Sequence, residues 1–268
     1  MPRERLDEIA SVAGRLAKRL PRRLRDRTVL QAEALPLRRD MVTLLDYIQD
    51  NRVIGTQNTG NLPLAAVREV TARFVDPPPL EGRIGDHTYR VRSASDIWPL
   101  YLLHILVDAG QLVSRGRARL WRLTRRGAKF LNADPLTQVL FLLDTWWHRI
   151  NWLVAYPFEG MGRGLPPDFT RITLAHLRAL PVGKRTRFEP FADKLIGAGA
   201  LMWTAQDANF AREALHGAVE RMVLSILEDF GAARLEDRKR RLGRGTISEL
   251  AAFRITPFGR WLLDAIAT

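Results

Sequence analysis

Apolar residues recur at helical spacing along most of this chain, and two stretches break that rhythm in the same way. Leu6, Ile9, Ala13, Leu16 and Leu20 share one side of a helix over residues 5–20, which Pro21 ends. Met41, Leu44, Leu45 and Ile48 predict the next helix, with Asp40 as its N-cap. Gly60 and Asn61 suit a turn, Asn61 can cap, and Pro63 opens a helix running to Phe74. Asp76-Pro77-Pro78-Pro79-Leu80 predicts a stiff extended break, and residues 81–95 a polar loop holding Arg83, Arg90 and Arg92. From about Asp96 to Ala109 a helix follows that is apolar nearly all round and ends at Gly110.

The first break is Arg119 to Leu131, where Leu120, Trp121 and Leu123 read as a short strand turning abruptly into a helix. Thr124 is placed to cap that helix, and Gly127 lets it lie close to whatever it crosses. The phrase returns as Phe253-Arg254-Ile255-Thr256-Pro257-Phe258-Gly259, with Thr256 as cap and Pro257 at the first helical position. An apolar helical run ending in glycine precedes each copy, Tyr101–Gly110 and Val223–Gly231. Further upstream lie Met41–Asn51 and Leu62–Phe74 in one copy, and Arg171–Leu180 and Glu189–Ile196 in the other. Met41 to Thr124 and Arg171 to Thr256 are near-equal spans, so the chain reads as a tandem repeat of helix, strand, helix, helix, hairpin, helix.

Between the repeats, Asp134-Pro135 starts a helix over 135–155, with Leu136, Val139, Leu140, Leu143, Trp147, Ile150 and Val154 in one stripe. Phe141, Leu142, Trp146 and Trp152 widen it. A stripe of that kind could stack bases, but it suits the joint between two domains better. The fold class expected is mainly α with small β-hairpins, an α+β arrangement of tandem winged-helix-like units joined by an aromatic-rich helix. The boundaries expected are a basic N-terminal helix or arm at 1–39, free to reach a ligand or packed on the body with its basic face in water, a first unit at 40–133, a connecting helix and Gly/Pro linker at 134–169, and a second unit at 170–268.

Thr59-Gly60-Asn61-Leu62-Pro63, the Thr-x-x-Gly hairpin and Asn151-Trp152-Leu153-Val154-Ala155-Tyr156-Pro157 together resemble bacterial proteins associated with plasmid open reading frames. The resemblance covers roughly residues 41–160. It implies the winged-helix-like fold and carries no catalytic residue with it.

Charge adds the functional expectation. The chain has net charge +13, but residues 1–39 alone hold 11 basic against 5 acidic side chains. Residues 111–131 hold 7 basic and none acidic, and residues 232–263 hold 8 against 3. A GC-rich genome would explain Arg in place of Lys, but not the lack of acidic residues in these segments. A polyanion-binding surface is expected, formed by Arg115, Arg117, Arg119, Arg125 and Arg126 on the first hairpin and its helix. Arg238, Lys239, Arg240, Arg241 and Arg244 supply it on the second, and Arg22 and Arg23 on the arm. The expected partner is nucleic acid, duplex DNA ahead of RNA, with phosphates contacted through the hairpins. A transcriptional regulator or mobile-element accessory factor would carry such a surface. The competing expectation is a protein-docking subunit, because the apolar 96–109 helix offers no polar face to a major groove and the 207–230 helix carries mixed charge.

Other chemistry is not signalled. There is no cysteine, and His87, His104, His148, His176 and His216 are too scattered for a metal site. His104 and His148 sit in apolar helices and read as core histidines. Neither a Walker loop nor a nucleophile elbow occurs. The chain is therefore expected to be a non-enzymatic cytoplasmic protein with no cofactor, no metal and no membrane partner, in the nucleoid if it binds DNA. The start of the chain, with Arg3, Glu4 and Arg5, leads into no apolar signal core.

Overall fold

The computed structural model describes residues 5–84, 87–116, 118–156, 160–161, 164–242 and 245–267. The chain divides into two compact units, Met1–Ile150 and Asn151–Thr268, both mainly helical with small antiparallel sheets.

The first unit is built on the helix α7 (Pro135–His148), buried without a break from Leu136 to Trp147. Such burial obliges its polar side chains to find partners. Gln138 Nε2 donates to the Phe130 carbonyl at 2.8 Å, Thr145 Oγ1 to the Phe141 carbonyl at 2.8 Å, and Asp144 accepts from Arg5 Nε at 3.2 Å. Around it pack α1 (Arg5–Arg19), α2 (Arg22–Ala34), α3 (Pro36–Asp50) and α5 (Trp98–Ala109). Of the two readings of the N-terminal segment, the packed helix is the one found: α1 is held by Leu6, Ile9, Ala13 and the Arg5–Asp144 pair, and α2 buries Thr28 and Ala32. The aromatic stripe expected over 135–155 is divided. Its helix ends at His148, and Trp152 begins a separate short helix, α8 (Trp152–Ala155), in the second unit.

Several local expectations change. The third helix begins at Pro36, whose missing N–H costs nothing at a first position, so Asp40 lies inside it. Asp40 is buried and its Oδ1 accepts the backbone N–H of Val75 at 2.8 Å. Pro63, not Asn61, precedes α4 (Leu64–Thr71), which stops short of Phe74. The expected polar loop at 81–95 contains a hairpin, β1 (Glu81–Ile84) with β2 (His87–Arg90), then a 3-10 turn at Ala94–Asp96. Glu-Gly-Arg-Ile and His-Thr-Tyr-Arg have no apolar alternation by which a sequence could announce strands. The apolar helix does end at Gly110, which is right-handed with φ −73°, and the left-handed residue is its neighbour Gln111, with φ 54°.

The remaining elements of the first unit are the hairpin β3 (Val113–Arg115) with β4 (Trp121–Leu123), and α6 (Arg125–Leu131). The second unit continues with α9 (Phe169–Ala179), β5 (Thr186–Arg187) and α10 (Phe188–Ala198). One continuous helical rod follows: α11 (Ala208–Val219), a π-helical segment Glu220–Ser225, and α12 (Ile226–Asp229). The sheet β5-β7-β6, with β6 (Ala233–Leu242) and β7 (Gly245–Ile255), leads into α13 (Pro257–Ile266).

The second unit has the expected order of elements, whereas the first has a single bridge at Ile54 in place of the strand and the β1–β2 hairpin between α4 and α5; around the closing hairpins the match extends to single hydrogen bonds. Thr124 N donates to the Leu112 carbonyl and Thr256 N to the Ala232 carbonyl, each at 3.0 Å. The two threonine hydroxyls donate to the carbonyls of Gln111 and Gly231, each at 2.8 Å, and accept from the amides of Gly127 and Gly259. Leu112 N returns to Val107 O, as Ala232 N does to Leu227 O. A Cβ on Gly127 would collide with the Leu112 carbonyl, and one on Gly259 with that of Ala232, so both helices cross the chain at a distance only glycine permits. A third segment lies beside each hairpin: Ile54, after α3, bridges to Leu120 just before β4, and Arg187 of β5 pairs with Ala252 of β7.

Candidate nucleic-acid interface

The first hairpin is anchored from below by the sequence's most distinctive phrase. Thr56 N donates to Asn61 O at 2.8 Å and Gly60 N to Thr56 O at 2.9 Å, which closes a turn. The buried Trp121 indole donates to the Gly60 carbonyl at 2.9 Å, and Gly55 N donates to Arg119 O at 2.8 Å. Gly60 takes φ 70°, which a glycine enters without penalty. The Thr59–Pro63 phrase therefore clamps the hairpin in place.

That clamp decides what the basic residues of the first unit can do. Arg115 ion-pairs with Asp108, lies 3.3 Å from His104 Nε2 and stacks over the Trp121 ring at 5.1 Å. His104 in turn meets Trp121 edge-on and lies 3.3 Å from Asp108. Burial would raise the Asp108 carboxyl, but His104 and Arg115 together hold it below the ordinary range. Arg126 donates to the carbonyl of Gly110 at 3.2 Å and to Gln111 Oε1 at 2.8 Å. Two expected contacts, Arg115 and Arg126, are therefore spent on the fold. Arg119 donates to the Gln57 carbonyl at 3.2 Å yet stays exposed, and Arg125 is exposed with no side-chain partner among the described residues. Arg117 lies outside the described residues. Arg22 and Arg23 are exposed on α2, Arg22 at 3.9 Å from Asp26.

In the second hairpin Arg238 is held by Glu189 at 3.0 Å and Glu249 at 3.4 Å, while Lys239 is exposed and unpaired among the described residues. Arg240 and Arg241 lie on β6, with side chains outside the described residues, as is the whole of Arg244.

A cluster at the base of this hairpin is invisible in the sequence. Register places Arg234 opposite Arg254, and Glu236, Ala252 and Arg187 in one row across three strands. Arg254 Nε donates to Glu236 Oε1 and Arg185 Nε to Glu236 Oε2, each at 2.9 Å. Arg254 first and Arg185 second hold the Glu236 carboxyl below its ordinary range. Arg187 and Arg234 are exposed with no side-chain partner among the described residues. The charge of residues 232–263 covers Arg234 and Arg254, but nothing joins Arg185 and Arg187 to them, because a two-residue strand announces nothing by periodicity.

The helices before the hairpins offer no basic reading face. On α5, every residue from Leu100 to Gly110 is buried or half-buried. The rod of the second unit instead borders a cleft of 520 Å³ walled by Glu189, Glu213, Glu220, Glu249, Arg212 and Arg238. Burial, then Asp237, raises the Glu220 carboxyl there. No family model, curated protein or solved structure matches this chain. Among the described residues, no group of three His, Asp or Glu side chains could hold a metal, and no helix is long and apolar enough to cross a membrane.

Proposed function

We propose that the chain is a non-catalytic nucleic-acid-binding protein made of two winged-helix-like units, which grips duplex DNA by its phosphates. The observation that carries this reading is the second hairpin. Strands of ten and eleven residues carry Lys239, Arg240 and Arg241, next to the internally paired Arg238, along one antiparallel hairpin. Hairpins reach a backbone without a polar recognition helix, and phosphate contacts position a protein without reading bases. Binding is therefore indifferent to sequence, which suits a mobile-element accessory factor better than an operator-specific regulator. The winged-helix reading is supported by the helix, hairpin and capped helix that close each unit and by a third segment beside the hairpin, a single bridge at Ile54 in the first unit and β5 in the second.

The acid-walled cleft beside the 208–229 rod favours a second reading, a docking subunit that takes a basic protein segment. Purification separates the two. A nucleic-acid absorbance that copurifies and is stripped by high salt supports the first; a protein that co-elutes through high salt, with no nucleic acid, supports the second.

A further inference from the structure

We infer that the outer face of the β5-β7-β6 sheet is a phosphate-binding platform, with Glu236 as a resident carboxylate that a nucleic-acid phosphate displaces. The inference rests on the nucleic-acid reading and adds a surface to it that the hairpin tip does not include. Phe253 packs edge-on against Phe191 of α10, which marks that face of β7 as the inner one, so Ala252 and Arg254 belong to the other; Ala252 is covered there, while Arg187 and Arg234 are exposed. There Arg185 and Arg254 donate to Glu236, and register sets Arg187 in its row and Arg234 in the next. Same-face rows of a strand are ~6.8 Å apart, close to the separation of successive phosphates on one nucleic-acid strand.

The chemistry favours phosphate. Guanidinium forks match a tetrahedral oxyanion by paired hydrogen bonds, and all four cations here are arginine. Glu236 already accepts from Arg185 and Arg254, so both are held extended before a ligand arrives. Arg187 and Arg234 flank them without partners among the described residues. The equivalent face of the first unit has Ile54 in place of Arg187 and Ser114 in place of Arg234, so this platform belongs to the second unit alone. β6 and β7 run on from it into the basic hairpin, giving one continuous track for a backbone.

The test uses the full chain and a fluorescein-labelled duplex of arbitrary sequence, titrated at several salt concentrations. Arg187→Ala with Arg234→Ala should flatten the slope of log K against log salt by about 1.8 and weaken binding about 50-fold at 0.1 M salt. Glu236→Gln should tighten binding several-fold, because it removes the competing charge. A merely structural role for the cluster would weaken it. Circular dichroism of Glu236→Gln, with a thermal transition like that of wild type, shows that the gain does not come from an unfolded basic chain. If wild type fails to bind at low salt, the nucleic-acid reading itself is lost. If wild type binds while the double variant keeps its slope, or Glu236→Gln gives no gain, the platform is overturned and the hairpin reading stands.

Discussion

Gln111 and Gly231 hold the same left-handed backbone, φ 54° and 63°, at the end of the helix that precedes each hairpin. Each offers its carbonyl to the threonine that caps the helix after that hairpin. Only one of the two is the residue suited to this conformation. Gly231→Ala is expected to destabilise by ~1–2 kcal/mol. Gln111→Gly relieves strain of that order but loses the hydrogen bond from Arg126, worth ~0.5–1.5 kcal/mol, and should be close to neutral. Equilibrium denaturation checks both, and a neutral Gly231→Ala would contradict the equivalence.

The close crossings at Gly127 and Gly259 are stricter, because the obstructing atom in each is a backbone carbonyl. Alanine at either position should cost about 3 kcal/mol, the upper end for overpacking, since no side chain can rotate away. Thermal unfolding of each variant would show it. A wild-type midpoint for either would mean that the helices do not cross as described.

Arg115 separates folding from binding. Its ion pair with Asp108 and its place over Trp121 predict that Arg115→Ala destabilises by ~1–2 kcal/mol and leaves the salt dependence of DNA binding unchanged. A flattened slope in a stable variant would return Arg115 to the interface.

Asp193 supplies a pH signature. Arg212 foremost, then His216, draw its carboxyl down to about 2 from an ordinary 3.8. A depressed folded value means that the contribution is complete above the unfolded value and fades as pH falls from about 4 towards 2. The pair is exposed, so screening limits the effect to ~1 kcal/mol or less. Asp193→Asn should lower stability at neutral pH and leave it closer to wild type near pH 2. A constant difference across that range would contradict the pairing.

The two breaks in helical rhythm carried most of what the sequence could say about the fold. Thr124, Gly127, Thr256 and Gly259 are local signals, each needing only its own neighbours, and they fall where expected. Helix boundaries that depend on a partner did not. Asp40 resembles a cap until Val75, far along the chain, donates to it. The charge map found the hairpins but could not sort their arginines, because whether Arg115 or Arg238 is spent depends on Asp108, Glu189 and Glu249 arriving from other elements. The sheet-face cluster was hidden for the same reason: β5, β6 and β7 contribute residues that only strand pairing unites.

The measurement closest to the central claim is the affinity of wild type for duplex DNA across salt concentrations, followed by fluorescence anisotropy. About six phosphate contacts predict a slope of log K against log salt near −5, the same for unrelated sequences. Replacing Arg238, Lys239, Arg240 and Arg241 with Ala should flatten it by about 2–3, since Arg238 is already paired within the protein. No binding at low salt, or a full slope in the quadruple variant, would contradict the account.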